Sequence, residues 1–335
     1  MQDLTGNGDY ILQVEHLQKY HPIEKSFLEK MFTRNRHFLK AVDDVNFQIR
    51  RGEIFTLAGE SGCGKTTTGK LVLGLTSPTA GKILFDNVDI SAIHGEALRN
   101  LRRKMQMIFQ DPYASFNPRM KIGDSVGHPL EIHKLAKGKE KQEQVYKVLE
   151  RVGLSPARKF AELYPHQMSG GQRQRAAMAR SLILQPEFIV ADEPVSMIDV
   201  SLRTAIIDLM LDLQRDLGLT YLFITHDLAI AKYISDRIAI MYLGKIVEIG
   251  DKNAIFSEPL HPYTKALLAA IPVPNPERKR KESVLIGDVP SAVHIPSGCR
   301  FHTRCRYCEG ACKEQEPHLL EVSSNHLVAC DLLKA

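Results

Sequence analysis

The pattern of apolar and polar positions divides this chain into short strands and a few amphipathic helices. YILQVEHLQKY, from Tyr10, reads as a strand, and AVDDVNFQI, from Ala41, alternates apolar and polar residues. RGEIFTLAG is a turn followed by a buried strand, and TTTGKLVLGL is a helix that opens directly behind a glycine-rich loop. Further on, EFIVAD and TYLFITH are short β-branched and aromatic runs, with SLRTAIIDLMLDLQRDLG helical between them. RIAIMYLGKIVEIG predicts a hairpin turning at Leu243-Gly244-Lys245. Strands alternating with helices imply an α/β core with a parallel sheet, and the N-terminal strands add an antiparallel part.

The pattern changes in two places. Residues 21–40 carry Lys25, Lys30, Arg34, Arg36, His37 and Lys40 between two predicted strands, an insertion expected to be a solvated basic loop or a contact for a membrane or partner. Near residue 255 the texture shifts to prolines at 259, 262, 272, 274 and 276, then the basic run RKRK, then a cluster of cysteines. A domain boundary is expected there, giving a main domain over 1–255 and an extension over 256–335, with no internal repeat. Composition adds little: 335 residues, 44% hydrophobic and 25% charged, with a formal charge of +5, describe an ordinary globular chain. No apolar run approaches the roughly 18–20 residues that cross a bilayer, and the first residues lack the parts of a signal peptide. The expectation is a chain folded in the cytosol, where clustered cysteines more often bind metal than form disulfides.

The chemistry begins at Gly59-Glu60-Ser61-Gly62-Cys63-Gly64-Lys65-Thr66, which fits G-x-x-x-x-G-K-[ST] between a strand and a helix. Glycines let the backbone curl so that successive N–H groups face phosphate oxygens at the positive end of the helix. Candidate nucleotide contacts are Gly59, Ser61, Gly62, Cys63, Gly64, Lys65, Thr66 and Thr67, with Lys65 as a point charge for the β and γ phosphates and the Thr66 hydroxyl on Mg²⁺. EFIVA then runs into Asp192-Glu193, where Asp192 can hold Mg²⁺ and Glu193 can orient or deprotonate an attacking water. Between them, Ser169-Gly170-Gly171-Gln172 opens a second glycine-rich helix, which one phosphate cradle does not explain.

These three motifs, in this order, resemble the ATP-binding subunits of ABC transporters over roughly residues 10–255. The resemblance implies a P-loop NTPase cassette with an N-terminal antiparallel β-subdomain and a helical subdomain at about 112–180. It implies two cassettes that face each other, each signature acting on the other's ATP when the dimer closes. By the same resemblance Gln110 in IFQDP is the Q-loop glutamine near Mg²⁺, Asp199 in SMIDVSLR the D-loop aspartate, and His226 in FITHDL the switch histidine at the γ-phosphate. Tyr20 matches the aromatic that stacks on adenine, with a core or surface tyrosine as the plain alternative. Two places depart mildly from the usual pattern: Met197-Ile198 before Asp199, and Met168, which opens the signature.

The basic insertion, FQDPYASFNPRM and EPLHPYTKALLAAIP narrow the resemblance to ATPase subunits of oligopeptide and dipeptide importers. Such a subunit pairs with a second, homologous ATPase beneath two membrane permeases, which an external binding protein supplies. That implies a place on the cytoplasmic face of the membrane and no nucleic-acid partner. Peptides are the expected cargo, with nickel chelates or oligosaccharides as alternatives. A non-transport ABC ATPase would ordinarily carry two cassettes or a coiled coil, and a non-hydrolysing regulatory cassette would not need Lys65, Asp192, Glu193 and His226 together.

The extension gathers five of the six cysteines, four of them in GCRFHTRCRYCEGAC. Cys299, Cys305, Cys312 and Cys330 stand where some members of the group hold an iron–sulfur cluster, and a Cys₄ zinc site is the alternative. Cys308 is outside the group's pattern, but Cys305-x2-Cys308 would supply a zinc knuckle. Arg300, Arg304 and Arg306, interleaved with the cysteines, are expected either to offset thiolate charge or to face solvent.

Overall fold

The computed structural model describes residues 10–23, 38–271 and 287–333. Most of the basic insertion (Lys25, Lys30, Arg34, Arg36, His37) and the RKRK run lie outside the described residues. The chain forms two compact units, one built around Arg50–Glu53 and Ala92–Ile224, the other from Leu12–Ile49, Ile54–Ser91 and Thr225–Ala335.

The second unit starts with β1 (Tyr10–Pro22), β2 (Phe38–Arg50) and β3 (Ile54–Ala58), then the helix Lys65–Val72, β4 (Ala80–Phe85) and β5 (Val88–Asp89). In β2, Val45, Phe47 and Ile49 are buried while Asn46 and Gln48 are partly exposed, so the alternation in the sequence is a sheet with one covered face. β1 pairs antiparallel with β4, Leu12 opposite Phe85 and Val14 opposite Ile83, in a four-stranded sheet ordered β2-β1-β4-β5. β3 is different: all five residues, Ile54–Ala58, are buried. Both of its faces are covered, as a run apolar at every position but Thr56 requires.

The first unit holds β6 (Met105–Ile108), β7 (Phe188–Asp192) and β8 (Thr220–Thr225), parallel to one another in that order. Its helical part comprises Ile122–Ile132, Gly138–Arg151, Ala157–Glu162 and Gly170–Leu182. The helix Val200–Leu217 buries Ile206, Ile207, Met210 and Leu213, a stripe at helical spacing, and ends on Gly218 at φ 64, where a left-handed cap favours glycine.

The chain then returns to the second unit. β9 (Arg237–Tyr242) runs parallel to β3, and β10 (Lys245–Asp251) turns back antiparallel to it, joined at Leu243 and Gly244 with φ 42 and 82. This is the predicted hairpin, with the paired positive φ angles of a tight two-residue turn. The C-terminal region continues the same sheet: β12 (His326–Val328) pairs with β10, Glu248 opposite Val328, and β11 (Leu320–Ser323) pairs with β12. The helix Pro262–Ala269 buries Tyr263 completely, and Phe301 joins Tyr242, Ile240 and Ile255 in one apolar cluster. A segment too poor in apolar residues for its own core thus borrows one. Glu248, fully buried, fastens it by accepting from the backbone N–H groups of Leu260 (2.7 Å) and His261 (3.0 Å) and by pairing with His326 Nε2 at 2.7 Å. A buried carboxylate without such partners would be costly.

Candidate functional site

In the second unit, the loop from Gly59 to Thr66 leaves β3 and enters the helix Lys65–Val72 with Gly64 as its N-cap at φ 110. Glycine is needed there on two counts. The backbone is left-handed, and a Cβ would lie 2.2 Å from the Ala41 carbonyl oxygen. At Gly59 a Cβ would lie 2.2 Å from the carbonyl oxygen of Met241. The loop is therefore wedged between β2 and the β9–β10 hairpin, whose Gly244 N–H donates to the Cys63 carbonyl at 2.8 Å. Lys65, buried, donates from Nζ to the carbonyls of Gly59 (2.8 Å) and Glu60 (2.9 Å), tying the loop to itself. Ser61 and Gly62 are exposed at its rim, and Thr66 and Thr67 are partly exposed in the first helical turn. Burial pushes the Cys63 thiol up, so Cys63 contributes backbone rather than a reactive sulfur.

Tyr20, at the end of β1, is half-buried. Its hydroxyl donates to Asp43, and the Lys40 ammonium stands 5.2 Å from its ring centroid. Burial works against charge on Asp43, but hydrogen bonds from Tyr20 and Arg300 outweigh it and hold the carboxyl below the usual range. His226 follows β8 and is exposed, and the next residue, Asp227, caps the helix Leu228–Ile234 by accepting from Ala229 N–H at 2.9 Å.

The first unit carries the other half of the sequence-predicted residues. Asp192 ends β7 and is buried at 3% exposure. Glu193 follows at φ 45, a left-handed conformation uncommon for a non-glycine residue, and its N–H donates to the Ile224 carbonyl at 2.9 Å. Gln110 Nε2 donates to Glu193 Oε2 at 3.0 Å, so two residues 83 apart in sequence meet. Ser169 caps the signature helix reciprocally: its Oγ accepts from Gln172 N–H at 3.3 Å and its N–H donates to Gln172 Oε1 at 3.0 Å. Gly170 and Gly171 form the first helical turn behind it, and Asp199, exposed, precedes the helix Val200–Leu217. Sequence reasoning missed Tyr113, whose ring lies 3.7 Å from the guanidinium of Arg173 in the signature helix. FQDPYASF is thereby docked on that helix, and Arg180 donates to the Ser115 carbonyl as well.

The chain matches the ABC transporter family over residues 42–196 and the oligopeptide/dipeptide transporter C-terminal region over 247–312. It is 46% identical to the oligopeptide transport ATP-binding protein AppF of Bacillus subtilis, over 98% of this chain and 99% of the relative. The chain belongs to the family of oligopeptide/dipeptide ABC transporter ATP-binding proteins. A probable peptide ABC transporter ATP-binding protein of Sinorhizobium fredii is 45% identical, over 96% of this chain and 90% of that protein. Among solved structures, a dimeric ATP-binding cassette in a post-hydrolysis state with ADP and Pi superposes at a TM-score of 0.63, with 27% identity, over 72% of this chain and 98% of that one. Among the described residues no helix is long and apolar enough to cross a membrane.

The C-terminal region of this transporter ATPase differs from the expectation for its arginines. Arg300 and Arg304 neither face solvent nor turn toward the thiols; both are buried, Arg300 against Asp43 and Arg304 against Glu60. A nearly buried carboxylate, Asp43, and a partly buried one, Glu60, claim the two cations. Cys299, Cys305, Cys312 and Cys330 line one cavity of about 20 Å³, together with His261, Phe301 and Asp331. Cys308 is not among them and its thiol faces the Glu309 carbonyl at 3.5 Å. Burial pushes Cys299 up to about 12 and raises Cys305 and Cys330 as well, with the neighbouring sulfurs adding to the effect. Among the described residues, no group of three or more His, Cys, Asp or Glu side chains is drawn together as a ready-made metal site.

Proposed function

We propose that this chain is the ATP-hydrolysing subunit of a peptide importer, working as one half of a pair of different ATPases beneath two permeases on the cytoplasmic face of the membrane. The observation that carries the reading is the Gln110–Glu193 hydrogen bond of 3.0 Å beside the buried Asp192, in a chain whose near-full-length relatives are named for peptide transport. A carboxylate oriented by a glutamine amide is equipped to take a proton from an attacking water. Lys65 leaves the carbonyls of Gly59 and Glu60 for the phosphates when ATP enters, and the loop N–H groups take the remaining oxygens. Mg²⁺, held by Thr66, Asp192 and Gln110, would neutralise phosphate charge. Ser169, Gly170, Gly171 and Gln172 act on the nucleotide of the facing subunit, His226 contacts the γ-phosphate, Asp199 lines the interface, and Tyr20 stacks on adenine. ATP binding closes the pair and hydrolysis opens it.

We infer further that Cys299, Cys305, Cys312 and Cys330, which line one small cavity without being drawn together in this structure, supply the donor set of a 4Fe–4S cluster, with Cys₄ zinc as the other outcome. Cys299, Cys305, Cys312 and Cys330 would hold it, and it would cross-link the two ends of the extension. A brown, anaerobically purified protein with a broad visible band supports the cluster; a colourless one with stoichiometric zinc rejects it.

The test of the ATPase is Glu193→Gln. Hydrolysis is expected to fall by about 10²-fold or more while ATP binding persists, leaving a closed, ATP-bound pair on gel filtration. Wild-type turnover in that variant would rule out Glu193 as the base.

A further inference from the structure

Glu60 places an acidic side chain inside the loop that must cradle a triphosphate, and the C-terminal extension closes on it from outside. Arg304 forks onto its carboxylate, Nη1 to Oε2 at 2.9 Å and Nη2 to Oε1 at 3.3 Å. The Tyr263 hydroxyl accepts from Glu60 N–H at 3.1 Å and donates to Oε2 at 3.3 Å. Val289, Pro290 and Ala292 of the extension line a cavity of about 170 Å³ together with Glu60, Ser61, Gly62 and Cys63. Arg300 makes a second grip: it donates to Asp43, which accepts from the Tyr20 hydroxyl, and to the carbonyl of Leu243 in the hairpin that presses on the P-loop. Both guanidinium groups are buried, at 6% and 5% exposure, and neither has a role in the chemistry described above.

We propose that Arg304 and Arg300 are positioning residues for nucleotide binding, Arg304 by neutralising and anchoring Glu60 in the P-loop and Arg300 by holding Tyr20 through Asp43. This rests on the ATPase reading of the loop. With Arg304 in place, the Glu60 charge is paired and turned toward the extension. Without it, an unpaired carboxylate remains in the phosphate cradle and repels the ligand. The extension is therefore part of the nucleotide site rather than an appendage to it.

The experiment is a titration of the full-length chain with the fluorescent analogue mant-ATP in the presence of Mg²⁺. Arg304→Ala is expected to weaken binding on the order of ten-fold, the scale of losing hydrogen bonds to a charged group. Adding Glu60→Gln to that variant removes the stranded charge and is expected to recover most of the loss, which a purely structural contact would not allow. Arg300→Ala is expected to weaken binding too, but Glu60→Gln does not restore it. If Arg304→Ala fails to fold by circular dichroism, Arg304→Gln, which keeps donors and most of the volume, carries the same comparison. Binding by a folded Arg304 variant within two-fold of wild type, or a double variant as weak as the single, overturns the proposal. A wild-type chain that binds no nucleotide overturns the ATPase reading, and this one with it; wild-type binding with an unaffected Arg304 variant overturns this one alone.

Discussion

Phe301→Ala tests whether the cysteine-bearing extension shares the core of the P-loop unit. Phe301 is 3% exposed and its ring meets Tyr242 edge-on at 5.4 Å between centroids, Tyr263 at 5.3 Å and His261 at 5.7 Å. Truncating a buried phenylalanine costs about 3–5 kcal/mol, and the aromatic contacts place this site in the upper half of that range. An expected loss of about 4 kcal/mol is a large share of the roughly 5–15 kcal/mol that holds a domain together. Tyr242 belongs to β9 and Tyr263 bonds the P-loop residue Glu60, so the loss must reach the nucleotide loop and not only the tail. The assay is urea unfolding followed both by far-ultraviolet circular dichroism and by mant-ATP binding. Both probes should move to lower urea together, and Phe301→Leu should recover most of the shift. A loss under about 1 kcal/mol, or a separate tail transition with the nucleotide-linked one unmoved, would show that the extension does not share this core.

Two further outcomes follow from the same region. Burial, helped by the charge of Lys265, pushes His261 down to about 3, and its Nδ1 accepts from Tyr263 N–H at 3.1 Å. The unfolded chain takes up that proton near pH 6.5 and the folded one does not, so this contribution to stability is complete above 6.5 and is lost as pH falls, by up to about 1.4 kcal/mol per pH unit. His261→Asn, which keeps the cap acceptor, should flatten the pH dependence of urea midpoints between neutral pH and about 5, and an unchanged slope would refute the assignment. Among the cysteines, Cys308 stands outside the cavity that the other four line. On the proposed reading of the cysteines as ligands, Cys308→Ser should leave any iron or zinc found by elemental analysis of the wild type unchanged and Cys312→Ser should abolish it; loss in both would make Cys308 a ligand, and a wild type without either metal would reject the proposal.

What the sequence made legible is what short stretches of backbone encode. The P-loop was readable because Gly59 and Gly64 occupy positions where any side chain collides with Met241 or Ala41, so the local sequence has no freedom. β3, β7 and β8 were readable as buried runs, and the hairpin was readable because Gly244 interrupts two apolar runs, although Leu243 takes a positive φ of 42 that its residue type does not advertise. Tyr113 was not readable. Its partner Arg173 lies in another motif, and a tyrosine in a loop gives no sign of which guanidinium it will stack on.

The extension shows the other side of that limit. Arg300 meets Asp43 across 257 residues and Arg304 meets Glu60 across 244, and no local pattern records such pairs. From the sequence, arginines beside thiols read either as partners of those thiols or as solvated side chains, because proximity along the chain is the only proximity available. Folding separates them: the stretch from Cys299 to Cys305 turns its cysteines to a small cavity and its arginines to two carboxylates of the nucleotide unit. Each arginine is bonded directly to one of those cysteines in sequence, Cys299 to Arg300 and Arg304 to Cys305. A change in the backbone at Cys299 or Cys305 is thus one residue away from the guanidinium that meets Asp43 or Glu60, so these few peptide units serve both the cavity and the contacts to the nucleotide loop.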